Sequence, residues 1–431
     1  MKKHDTSSFA AIGAILLILS AVLFALHTLG QTNEGIPDLT VIHTTASREI
    51  SETSATVNNR GGSKSAAQTQ SRSGQSLSAP TRSGNGFQLR TAKFRYHYNQ
   101  LNAEEQKAYN TILQKIESFP AEIQINALNS ESVFRVYNAL RDDQPLFFHL
   151  SGKASYRKQG SQTCLLPDYT LTPDEYKTQR AQLLAVCEEL IGAVPVGADP
   201  YQKELFLHDA LVRRCGYEFS NKPVQSTAYG ALVSRRAACE GYAKAMLLLL
   251  DHAGIQSYMV SGDAQNSANK LAVHAWNKVR INGAWYHLDA TWDDPVGSEI
   301  ADKMSHAYFN ITDGEIARSH TLTDAQNPCA STADMYFVRE NLLFETLDRS
   351  EESVVAAAIT KALNAGETSV EIKFTSETAF EDAKIYLFDK ARIYRVLSNA
   401  ASQTDISIDK KSVTTSENTD LFIIGIAPCF S

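Results

Sequence analysis

A chain of 431 residues is too long for one ordinary hydrophobic core, so two or three domains are the natural expectation. Its 43% hydrophobic and 21% charged residues have the balance of globular protein, and a net charge of −7 offers no basic surface for nucleic acid.

The first segment stands apart from the rest. Lys2 and Lys3 precede an apolar run over residues 9–26 that no charge interrupts. Positive charges ahead of such a run hold the N-terminus in the cytoplasm, and the run is about as long as a spanning helix requires. Residues 1–30 are therefore expected to be a membrane anchor that places the rest of a single-pass chain outside the cytoplasm. Secretion after cleavage of a signal near Gly30 is the alternative. Over residues 31–86 Ser, Thr, Gly, Gln and Asn dominate, a composition that buries too little apolar surface to fold and reads as a disordered stalk.

Residues 87–195 are expected to form a mostly helical domain. Asn102-Ala103-Glu104-Glu105 is a capping box, and a periodic helix follows it. Thr172-Pro173-Asp174-Glu175 is a second strong start, and Asp199-Pro200 opens a third helix that ends near Cys215-Gly216. His208 and Asp209 lie on that third helix and read as ordinary packed or surface side chains. Cys164, Cys187, Cys215, Cys239, Cys329 and Cys429 are sparse, and no CxxC pair exists. Neither a disulfide framework nor a zinc site is indicated, and no cofactor is expected.

Cys239 sits where a polar loop meets a strongly apolar helix that runs through Leu247, Leu248, Leu249 and Leu250 to a stop at Gly254. A cysteine in the first turn of a helix has its sulfur near unpaired backbone N–H groups and the positive end of the dipole, and a thiolate is the nucleophilic form. A strand over residues 256–260 comes next. Two runs of strand formers, residues 271–281 and 284–292, then flank Asn282-Gly283, the strongest short hairpin signal.

A two-residue loop sets Ile281 opposite Ala284, which places Asp289 opposite Trp276 and His274 opposite Thr291. His274 and Asp289 then share a face as diagonal neighbours roughly 7–8 Å apart at the backbone, within reach of an imidazole–carboxylate hydrogen bond. The other face carries Val273, Ala275, Val279, Ile281, Tyr286, Leu288 and Ala290 and reads as core. Cys239, His274 and Asp289 together suit nucleophilic catalysis: nucleophile, base and orienting acid. A metal site built from the same three lacks a fourth ligand and any helical or CxxC spacing.

The blocks Thr227-Ala228-Tyr229-Gly230-Ala231-Leu232, Cys239-Glu240-Gly241-Tyr242-Ala243, His274-Ala275-Trp276-Asn277 and Asp289-Ala290-Thr291-Trp292-Asp293-Asp294-Pro295 resemble the bacterial transglutaminase-like superfamily. Tyr308 to Asp313, with His320 beyond, resembles the tail of that domain, so the likeness covers about residues 200–325. Arg235-Arg236-Ala237-Ala238 departs from it, standing where a glycine and an aliphatic residue are expected. The resemblance implies an α+β, papain-like core over residues 196–330, with a nucleophile helix on an antiparallel sheet. It also implies catalysis by Cys239, His274 and Asp289 through a thioester formed from a protein or cell-wall peptide amide. A hydrolase using water as acceptor and a non-catalytic interaction module are the alternatives. Cys239 N–H is the natural first oxyanion donor, and Tyr229 is a weak candidate for the second. Residues 331–431 are expected to form a small α+β module without a chemical motif.

Overall fold

A computed structural model describes residues 39–43, 94–220, 222–265, 271–294, 304–321 and 326–430. The anchor expected over residues 1–30 lies outside these residues, as does most of the stalk. Among the described residues no helix is long and apolar enough to cross a membrane.

The front part packs α1 (Ala103–Lys115) and α2 (Ser130–Asp143) against a four-stranded sheet. Its order is β1 (Leu39–His43), β3 (Leu150–Gln159), β4 (Gln162–Tyr169), β2 (Ile123–Asn126), with every neighbour antiparallel. Helices outweigh strands over residues 94–195, but the β3–β4 hairpin is an addition to the sequence reading. Its alternation is blurred by polar residues on both faces, and its turn at Gly160 lacks an Asn-Gly or Asp-Gly pair. Leu-Thr-Val-Ile-His at β1 is a short island of strand formers within the stretch read as stalk. Val136, Tyr137, Leu140, Tyr109 and Ile112 fill the space between helices and sheet.

Three helices with well-defined starts lead into the central part. Asn102 and Thr172 form capping boxes with Glu105 and Glu175, and Asp199 forms one with Gln202. They open α1, α3 (Pro173–Ala193) and α4 (Pro200–Arg214). The central helix α5 (Cys239–His252) ends at Gly254, whose φ of +77° favours glycine.

The central sheet is antiparallel throughout, in the order β8 (Phe309–Ile311), β7 (Ala284–Leu288), β6 (Leu271–Ile281), β5 (Gln256–Gln265), β9 (His320–Thr321). Asn282 and Gly283 take φ of +49° and +93°, the signs a type I′ turn requires, and Ile281 pairs with Ala284. On one sheet face Val279, Ile281, Tyr286 and Leu288 join the core that α3, α4 and α5 build. Val273, expected on that face, is 48% exposed. It lies two residues beyond Ala275, which packs beside Cys239 at the level where α5 starts, so no helix covers it.

The last part sets α6 (Glu352–Asn364), α7 (Glu377–Lys384) and α8 (Ile393–Ala401) against a second sheet. Leu343–Phe344 runs parallel to β10 (Val370–Phe374), which is followed by β12 (Ile423–Phe430) and β11 (Ile408–Asn418). The whole is α+β.

Candidate active site

Cys239 is the first residue of α5, and Ala238 before it offers no side chain to cap the helix. The first-turn N–H groups are thus left to something other than a side-chain cap. Gly241 lets this end approach the preceding loop: a Cβ there would lie 2.4 Å from the Gln225 carbonyl oxygen. Ala238 N–H donates to that same oxygen at 3.0 Å. Glu240, also in the first turn, is buried between Lys244 Nζ at 2.6 Å and Arg141 Nη2 at 3.2 Å. Arg141 belongs to α2, so the front part of the chain braces the helix that carries the cysteine.

Arg235 explains where the sequence departs from the expected pattern. Its φ is +58°, a left-handed position that a glycine would occupy without strain. The exposed arginine adopts the same turn, so Cys239 keeps its place despite the substitution.

His274 on β6 and Asp289, one residue past β7, meet at 2.6 Å between Nε2 and Oδ2. With Nε2 committed to the carboxylate, Nδ1 is the ring nitrogen left for the Cys239 thiol, which also bonds and polarises this imidazole. Cys239 is partly exposed while His274 and Asp289 are buried, so the thiol faces solvent and its partners do not. Burial works against charge on His274, but the Asp289 charge and hydrogen bond, aided by Cys239, push its pKa up to about 10. Burial likewise opposes ionisation of Asp289, yet His274 and then His320 hold it well below the usual carboxylate range.

A stability prediction follows from these shifts. The folded-state value of His274 lies above the unfolded value of about 6.5, so its contribution is complete below that pH and fades as pH rises through about 10. Asp289 is displaced the other way, and its contribution is present above about pH 4 and lost as pH falls. In urea unfolding, the stability gap between the wild type and His274→Gln should be largest near pH 6 and nearly closed by pH 11.

Residues 193–290 match the family described as the Transglutaminase-like superfamily, a span that contains Cys239, His274 and Asp289. The chain carries a transglutaminase-like core. Solved structures that match part of the chain include one described as a TGase, at 12% identity and a TM-score of 0.25 over 41% of this chain and 52% of that one. A putative cysteine protease from Cytophaga hutchinsonii matches at 14% identity and 0.22, over 32% and 60%. The periplasmic domain of TgpA from Pseudomonas aeruginosa matches at 21% identity and 0.19, over 32% and 57%. The chain thus spans little more than half the length of these structures. No curated protein matches.

Within this core, His320 is a site residue that sequence reasoning did not select. It is buried, and its Nε2 lies 3.2 Å from Asp289 Oδ2, the oxygen that also holds His274. Asp289 Oδ1 accepts from the backbone N–H groups of Thr291 and Trp292 at 3.0 and 3.2 Å, so the carboxylate is paired at both oxygens. Because a carboxylate only accepts, His320 Nε2 carries the proton and its Nδ1 accepts from Ser319 Oγ at 2.8 Å. Tyr308 Oη stands behind Ser319 at 3.2 Å. Trp292 packs on the His320 ring at 4.5 Å and Trp276 at 5.1 Å, and these tryptophans serve as walls. His320 arrives through the pairing of β9 with β5, 31 positions after Asp289, and the sequence marks it only as part of the domain tail that resembles the family.

Losing a hydrogen bond to a buried charge costs about 1.5–3 kcal/mol, or roughly 10–100-fold in rate. His320→Leu should slow Cys239 alkylation by that factor. His320→Gln, whose amide can still donate to Asp289, should recover most of it.

Tyr229, a sequence candidate, and the nearby His287 have other roles. Tyr229 donates to Gln182 at 2.8 Å and stacks on Phe148 at 5.6 Å, a packing role on α3. His287 receives a hydrogen bond from Trp276 Nε1 at 2.9 Å and bonds Asp313 at 2.8 Å, and burial drives its pKa down to about 4.

Proposed function

We propose that this protein is a cysteine-dependent acyl transferase or hydrolase that attacks amides of proteins or peptides. The observation that carries this reading is a half-exposed cysteine at the uncapped start of α5, beside a buried His274–Asp289 pair within a transglutaminase-like core.

Cys239 gives its proton to His274 Nδ1, the form that the raised pKa of this imidazole favours, and Sγ then attacks the amide carbonyl carbon. Charge develops on the carbonyl oxygen, and the N–H of Cys239 is the nearest donor at the helix start. The tetrahedral intermediate collapses by breaking the C–N bond, and the leaving amine takes the proton from His274. A thioester remains on Cys239. An acceptor amine or water then adds to it, giving its proton to His274, and the departing thiolate recovers that proton. Asp289 holds the imidazole in the required tautomer and balances its charge throughout.

The apolar run behind Lys2 and Lys3 supports a membrane-anchored chain working outside the cytoplasm, where cell-wall peptides and surface proteins are the available amides. Incubation with casein and a fluorescent cadaverine tests the chemistry. Covalent amine incorporation that disappears in Cys239→Ala is the expected result. Ammonia release without incorporation would make the protein a hydrolase, and the absence of both would overturn the catalytic reading.

A further inference from the structure

A second histidine–carboxylate cluster lies away from the thiol. His208 and Asp209 on α4 meet His306, which enters from the loop beyond Asp293. His208 Nδ1 is 3.0 Å from Asp209 Oδ1, and His306 Nε2 is 2.9 Å from the same oxygen. The three donor atoms all lie within 4.8 Å of one another.

The far side of His208 is the telling feature. Its Nε2 faces Asp293 Oδ2 at 3.2 Å, yet both atoms lack a hydrogen-bond partner, and both residues are fully buried. Asp293 Oδ1 is used by the Tyr308 N–H at 2.9 Å. With no ion present, His208 can serve both carboxylates only with a proton on each ring nitrogen. Two carboxylates, Asp209 and Asp293, flank two imidazoles. Beyond the imidazoles themselves, the half-exposed Arg213 lies 3.7 Å from Asp209 Oδ2.

We infer that His208, Asp209 and His306 bind a divalent cation of the zinc class, with Asp293 as the partner that orients His208. A metal at Nδ1 moves the His208 proton to Nε2, where Asp293 Oδ2 accepts it, and this carboxylate–histidine–metal arrangement recurs at zinc sites. The ion's two positive charges balance the two carboxylates. Two nitrogens and one oxygen suit a borderline metal, and the partly exposed Asp209 leaves room for water as the fourth ligand. Tetrahedral zinc places neighbouring ligand atoms about 3.3 Å apart, so the two separations from Asp209 Oδ1 need open by only a few tenths of an ångström.

The His274–Asp289–His320 trio has the same residue types but no carboxylate behind either histidine. His320 Nδ1 is filled by Ser319, and His274 Nδ1 is used by Cys239. An ion at the second cluster would tie α4 to the loop that follows Asp289. It would also reach the C-terminal sheet, because His306 N–H donates to Glu371 on β10 at 2.9 Å. Sequence spacing conceals such a site, since its ligands come from segments 97 positions apart.

The test uses the full chain carrying Cys239→Ser, so that no thiolate at the nucleophile competes, stripped with chelator and dialysed against Zn²⁺. One bound equivalent is expected, weakened at least tenfold by Asp209→Asn and by His306→Asn. Co²⁺ should give visible bands of nitrogen and oxygen ligation without a sulfur charge-transfer band. That measurement requires no substitution in the cluster, so a variant that fails to fold does not remove the test. Failure to bind one equivalent, retention by both variants, or a thiolate band would overturn the proposal. These outcomes are independent of whether Cys239 proves catalytic.

Discussion

Asp289→Asn should lower acyl transfer by about 10³–10⁴-fold, the scale of loss when a triad acid becomes its amide. Asp289 accepts at both oxygens: two backbone N–H groups at Oδ1 and two imidazoles at Oδ2. An asparagine keeps one accepting oxygen and presents N–H groups on its other side. If the oxygen stays with Thr291 and Trp292, the amide nitrogen points at His274 Nε2 and forces the proton onto Nδ1. The base then turns an N–H, rather than a lone pair, toward Cys239. Iodoacetamide labelling of Cys239 near pH 7 should slow in parallel, while circular dichroism of the folded chain stays close to the wild type. Labelling at the wild-type rate in a folded Asp289→Asn protein would remove Asp289 from the mechanism.

Gly241→Ala is expected to be damaging out of proportion to the one methyl it adds. The new Cβ would lie 2.4 Å from the Gln225 oxygen, 2.8 Å from Ala237 Cβ and 3.1 Å from the Thr227 oxygen. Two of these are backbone atoms and cannot swing aside as a side-chain tip can. Relief requires lifting the first turn of α5 from the loop, which displaces Cys239 from His274. A cost of about 2–4 kcal/mol fits overpacking of this kind. It should appear as a melting midpoint lower by roughly 5–12 °C, with acyl transfer reduced beyond what the unfolded fraction explains. Gly192→Ala is the control. It lies in α3 with nothing within 4 Å of the added Cβ, and it should be neutral or stabilising.

Much of the site could be read locally. The Asn282-Gly283 turn specifies one register because both positions need positive φ, and that register alone brings His274 and Asp289 to one face. Helix starts at Asn102, Thr172 and Asp199 were legible because a capping box is complete within four residues. The misses have a common cause. The β3–β4 hairpin lacks a clean alternation, and α8 and β11 carry no strong start signal. His320 reaches Asp289 through a strand pairing between distant segments, and His208 reaches His306 in the same non-local way.

The sequence by itself determined the hairpin pair and the place of Cys239 at a helix start, since both depend on residues within one turn or one loop. It also determined that Leu247 to Leu250 would be buried, because no amphipathic pattern leaves them a polar side. Only the tertiary structure decided that Asp289 serves two histidines. The same holds for Glu240, which anchors α5 to α2, and for His208, whose Nε2 meets Asp293 in a fully buried pair. Those outcomes depend on where separate elements come to rest, and burial then sets how strongly each charge is felt.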